Sequence, residues 1–148
     1  MATIPPENTC ASAVGDISPE LDWTGAPAAT KSYAIVLKDL CNMYSHWAVW
    51  DIPASAMQLP VMAADGGAML TMPAGAKELS FRGTRYAGPC PSGSLHVYRF
   101  TVYALDVAML PGTNGLNGAS GVAMIDTIAT MHSLAKATLA GTSNASQH

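Results

Sequence analysis

Apolar residues in this chain fall into short runs bounded by glycine and proline, and the clearest runs follow the two-residue period of strands. Residues 32–38 (SYAIVLK) are almost continuously apolar and rich in β-formers, which predicts a strand covered on both faces that delivers Asp39 at its end. Residues 46–52 (HWAVWDI) predict a second strand, stopped by Pro53. Strict alternation places His46, Ala48, Trp50 and Ile52 on one face and Trp47, Val49 and Asp51 on the other. The clearest strand is 95–105 (LHVYRFTVYAL), where His96, Tyr98, Phe100 and Val102 share a face. Shorter strands are expected at 20–23, with Leu21 and Trp23 together, and at 68–72. One stretch has helical period: over 120–140, Val122, Ile125, Ile128, Ala129, Ala135 and Leu139 form a stripe, with Ser120 as cap and Gly141 as stop.

The connections read as turns and loops. Residues 1–8 form an extended lead-in, Asp16-Ile17-Ser18-Pro19 a turn, and 24–30 and 106–118 loops. Residues 54–93 are loop-rich, and 142–148 form a polar, frayed tail. There is no internal repeat, and 148 residues at 49% hydrophobic content suffice for the core of a single domain, 1–148.

Charge then excludes several functions. Only 11% of residues are charged, with seven basic against ten acidic and a formal charge of −3. No basic run exists to hold nucleic acid or an anionic membrane surface. No apolar run reaches the roughly 20 residues of a transmembrane helix, and the first residues lack the basic and apolar regions of a signal peptide. The three cysteines form no C-x-x-C pair and the histidines lack zinc spacing, so neither a metal site nor a cofactor is expected. They read either as small buried hydrophobes or, in an oxidising compartment, as a Cys10–Cys90 bridge with Cys41 left over.

Polar chemistry concentrates in two stretches. Residues 37–53 hold Asp39, Cys41, His46, Trp47 and Trp50, and residues 88–100 hold Cys90, His96 and Tyr98. The short link 40–45 puts Asp39 and His46 side by side, and the two stretches are expected to meet at one small pocket. Two imidazoles and a phenol can donate hydrogen bonds to an anion, while Asp39 fixes the tautomer of one imidazole. The tryptophans read as core anchors, with Trp47 able to reach the pocket mouth, and His132 reads as a packing or capping residue of the helix.

Six blocks in order, SPELDW (18–23), GAPAATKSYAIVLKD (25–39), HWAVWDIPA (46–54), GPCPSG (88–93), HVYRFTVYALD (96–106) and HSLAKATLAG (132–141), resemble the phosphatidylethanolamine-binding protein family, in its bacterial branch labelled Raf-kinase-inhibitor-like. The resemblance implies a mainly-β fold, an antiparallel β-sandwich with one C-terminal helix and long loops. It also implies an anion pocket of Asp39, His46, Gly88, Pro89, His96 and Tyr98, with Cys41, Trp47, Arg85 and Tyr86 at its rim. Three departures stand out: Asp39-Leu40-Cys41 replaces an acid–Pro–acid segment, the loop before His46 is shorter, and Val97 replaces an arginine.

The implied function is binding of a small anion (phosphate, sulfate, carboxylate or a phosphorylated head group), without a cofactor, by a monomer or homodimer. Two alternatives stand beside it. One is an enzyme using the His/Asp pocket for cyclase, lyase or hydrolase chemistry, its catalytic residues unassigned; the other is a kinase or protease modulator engaging a protein partner through loops at 75–91. The IPPENTC opening resembles secreted relatives, implying a periplasmic or secreted protein, with the cytoplasm as alternative.

Overall fold

The apolar run ending at Asp39 becomes the middle of the main sheet. In a computed structural model describing residues 1–11, 16–61 and 73–147, β1 is Leu21–Asp22, β2 Ser32–Asp39, β3 Tyr44–Pro53 and β4 Gln58–Leu59. They are followed by β5 (Lys77–Ser80), β6 (His96–Leu105), the helix α1 (Gly118–Met131) and β7 (Ser133–Ser143). The large sheet has order β5-β3-β2-β6-β7, and β1 pairs with β4 in a second, two-stranded sheet. All these pairings are antiparallel. The expected strand at 68–72 and the tail residue His148 lie outside the described residues.

Burial explains the apolar run of β2. One face of the large sheet packs Tyr33, Ile35 and Leu37 with Trp47, Val49, Tyr98 and Phe100, closed by Trp23 and by Leu59 of β4. The other face packs Ala34, Val36, Ala48 and Trp50 against Val122, Ile125 and Ala129 of α1. A strand so placed has no wet face, so its sequence shows no alternation.

Two bulges change the faces of β3. Leu37 pairs with Trp47 but Lys38 with Ser45, so His46 is an extra residue; a second register shift falls between Tyr33 and Ile35, opposite Trp50 and Asp51. Consequently Ile52 joins Trp47 and Val49 instead of Ala48 and Trp50, correcting the strict alternation. Asp51, at φ 57°, adopts the left-handed region and is held by Lys77 Nζ at 2.7 Å and the Leu110 amide at 2.8 Å.

The C-terminal part of the expected helix is a strand. The stripe Val122, Ile125, Ile128 and Ala129 is helical, but α1 stops at Met131, where the His132 amide bonds back to the Ile128 and Ala129 carbonyls. Residues Ser133–Ser143 then pair along all of β6, from Leu105↔Ser133 to His96↔Ser143. Alanine, leucine and lysine favour helix by intrinsic propensity, but the unpaired side of β6 offers a full ladder of hydrogen bonds, and tertiary context wins. Gly141 therefore ends no helix. It lets the N-terminal segment approach, since a Cβ there would sit 2.8 Å from Ile4 Cγ1.

The lead-in is likewise more than an extended arm. Ile4 N bonds to Thr142 O and Thr142 N to Ala2 O, and Pro6–Asn8 form a 3₁₀ turn. This anchoring also takes Thr142 and Ser143 out of the expected frayed tail and into β7.

Candidate functional site

The ends of β2, β3 and β6 lie at one edge of the sheet, and a loop through Ala87–Cys90 crosses over them. Asp39 pairs with Tyr98 in the β2–β6 register, and Leu40 N extends that ladder to Val97 O at 2.8 Å. Asp39 is buried, and both its carboxylate oxygens accept hydrogen bonds. Oδ2 accepts from His96 Nδ1 at 2.6 Å and Oδ1 accepts from Cys41 N at 2.8 Å, with the Tyr98 phenol close by. His96 and Tyr98 are stacked at 6.3 Å, with His96 partly open to solvent.

His46 reaches the same place through its bulge. Its ring stands edge-on to Tyr98 at 5.3 Å, flanked by Tyr44 and Phe81, and its Nδ1 donates to the Ala87 carbonyl at 3.1 Å. Burial pushes His46 below its ordinary value of 6.5, against the Ala87 hydrogen bond and the Asp39 charge, which pull it up. At neutral pH the ring is neutral, Nδ1 carries the proton, and Nε2 is an acceptor. Tyr98 is pushed well above its ordinary value, first by burial and then by the charge and hydrogen bond of Asp39, so it stays a phenol.

A lowered histidine makes stability depend on pH. The unfolded chain takes up a proton at His46 near 6.5 while the folded chain resists it, so the contribution is present above 6.5 and is lost as pH falls through the lower folded value. Melting temperature should therefore fall between pH 7 and pH 5, and part of that slope, at most one proton's worth, should vanish in His46→Gln. An identical slope in wild type and variant would assign it to other groups.

The crossing loop is clamped to the N-terminal segment. Cys10 and Cys90 form a disulfide, Cys10 N donates to Pro89 O at 3.1 Å, and Gly88 N donates to Asp16 Oδ2 at 3.0 Å. Gly88 is required by proximity, since a Cβ there would collide with the Asn8 carbonyl oxygen. Tyr86 donates its phenol to Asn8 O at 2.9 Å and meets Trp47 edge to face.

The structure thus brings Asp39, His46, His96 and Tyr98 together beside the Ala87–Cys90 segment. Of the four rim candidates, Cys41 and Arg85 are exposed. Trp47 and Tyr86 are buried behind the site, Trp47 donating Nε1 to Glu78 at 2.8 Å, and serve as its backing. The stretch 75–91 is only partly exposed loop, because it includes β5 and the buried Tyr86–Pro89 segment. Sequence reasoning missed Tyr44 and Phe81, which wall His46, with the Arg82 guanidinium over Phe81 at 5.2 Å. Phe81 is one of only two phenylalanines, the single signal that could have drawn attention to it. His132 lies at the end of α1 and pairs with Asp106 at 2.9 Å, away from this cluster's residues.

Relatives share most of the chain. UPF0098 protein YbhB of Escherichia coli K12 is 34% identical over 131 residues, covering 84% of this chain and 79% of that protein. A UPF0098 protein of Methanothermobacter thermautotrophicus is 34% identical over 111 residues, covering 72% and 70%. Among solved structures, that of E. coli YbcL, described as a new member of the mammalian PEBP family, superposes with a TM-score of 0.76 over 99% of this chain and 92% of that one. At 24% identity this last likeness speaks for the fold. The sequence model described as "Phosphatidylethanolamine-binding protein" matches residues 1–144, and on that match and these relatives the chain belongs to the phosphatidylethanolamine-binding protein family.

Proposed function

We propose that the chain is a binding module whose cluster of Asp39, His46, Gly88, Pro89, His96 and Tyr98 takes a small anion or the phosphorylated head group of a larger molecule. The observation that carries this reading is the Asp39–His96 pair. A buried carboxylate grips Nδ1 at 2.6 Å, which leaves Nε2, on the far side of a partly exposed ring, to meet a ligand. When both nitrogens donate, Nδ1 to Asp39 and Nε2 to the anion, the ring is an imidazolium, and both hydrogen bonds are charge-assisted. His46 complements it, because its Nε2 accepts and so suits a ligand that carries a hydrogen, such as the P–OH of a phosphomonoester.

The Cys10–Cys90 bridge supports a periplasmic or secreted setting, since disulfides persist in oxidising compartments. No helix among the described residues is long and apolar enough to cross a membrane.

The test is a thermal-shift titration of wild type and His96→Ala with phosphate, sulfate, acetate and phosphoethanolamine. Phosphate should raise the melting point of wild type in a dose-dependent way, reaching about 2.7 kcal/mol of added stability at a hundredfold excess over Kd. His96→Ala should lose that response while remaining folded. Absence of a shift with every anion, or an undiminished shift in the variant, would overturn the reading.

A further inference from the structure

The replacement of an expected acid by Cys41 creates a second kind of chemistry at the same sheet edge. Donor atoms of Asp39, Cys41 and His96 all lie within 4.8 Å of one another, which the linear spacing of these residues conceals. The register explains the grouping. Leu40 N bonds to Val97 O, and the turn that follows lays Cys41 Sγ against Val97 N at 3.4 Å, next to His96. The sulfur is thus positioned by a backbone N–H, a kind of support often found around metal-bound thiolates.

From this grouping we propose a site for a borderline transition-metal dication of the Zn²⁺ class, with Cys41, His96 and Asp39 as its three protein ligands. The donor set selects the class. A thiolate and an imidazole disfavour Mg²⁺ and Ca²⁺, which want oxygen alone, and suit Zn²⁺ or Co²⁺. Tetrahedral coordination needs donors roughly 3.3–3.7 Å apart, given metal–sulfur and metal–nitrogen bonds of about 2.3 and 2.1 Å. Asp39 Oδ2 and His96 Nδ1, 2.6 Å apart, must open to that range, while Cys41, exposed in the turn between β2 and β3, closes onto them. Binding converts the Cys41 thiol to a thiolate and releases its proton to solvent. Three protein ligands at a partly open edge leave the fourth position to water or an anion, as in open zinc sites. This proposal does not depend on the anion reading, because it concerns the metal alone.

The experiment is a titration of metal-free, disulfide-intact protein with Co²⁺, followed by absorbance and then by displacement with Zn²⁺. Wild type should bind one equivalent, with a thiolate-to-metal charge-transfer band in the near ultraviolet and the visible bands of tetrahedral Co²⁺. Cys41→Ser should lose the charge-transfer band outright. His96→Gln and Asp39→Asn should each weaken binding about tenfold or more. The His132–Asp106 pair supplies an imidazole and a carboxylate but no thiolate, so metal held there would give no such band. Failure of wild type to give the band, its survival in Cys41→Ser, or unchanged affinity in folded His96→Gln would each refute the site.

Discussion

Reducing the Cys10–Cys90 bridge should lower the unfolding free energy by about 4 kcal/mol. The bridge joins residues 80 apart in sequence, and closing a loop of that length removes roughly 4–4.5 kcal/mol of chain entropy from the unfolded state. A cost of this size is a large share of the roughly 5–15 kcal/mol that holds a domain folded. The local consequence is as important. The bridge, the Cys10–Pro89 hydrogen bond and the Asp16–Gly88 hydrogen bond fasten the loop whose Ala87 carbonyl orients His46. Urea unfolding with and without reductant, together with the Cys10→Ser/Cys90→Ser double variant, measures the effect. The midpoint should shift far downward and the phosphate response should weaken with it. A loss of less than about 1 kcal/mol would mean that the N-terminal contacts alone secure the loop, and the entropic account would fail.

Where side chains set the structure, the sequence was readable. β2, β3 and β6 announce themselves through β-branched and aromatic residues, and Asp39 and His96 fall at strand ends because the apolar runs stop there. Bulges carry no comparable signal: nothing in HWAVWDI says that His46 and Asp51 depart from the regular ladder. Yet the first bulge turns His46 toward Tyr98, and the second moves Ile52 to the opposite face. β7 was misread because its residues are largely exposed, and an edge strand with one wet side can hold alanine, lysine and leucine in any order. Only the pairing partner, β6, decides its conformation. The same limit applies within the site. The Ala87 carbonyl and the Gly88 amide hold His46 and Asp16 through the backbone, whose chemistry is the same at nearly every residue.

Asp39 is the residue through which stability and the proposed anion binding meet, and its two substitutions should separate them. Asp39→Ala leaves His96 Nδ1 and Cys41 N without their acceptor at a buried position. Such a loss typically costs about 3 kcal/mol. Asp39→Asn keeps the shape and one acceptor oxygen, so it should recover more than half of that. Binding responds differently. Removing a negative charge near the proposed site favours an anion by simple Coulomb attraction, but the partly exposed edge screens this term. Against it stands the loss of the carboxylate that holds His96 Nδ1 at 2.6 Å and turns Nε2 outward, a hydrogen bond to a charged group worth about 1.5–3 kcal/mol. The second effect is larger, so phosphate affinity should fall roughly tenfold to a hundredfold in Asp39→Asn. A folded Asp39→Asn that bound phosphate as tightly as wild type would show that His96 meets the anion without help from Asp39, and the carboxylate would be left with a structural role alone.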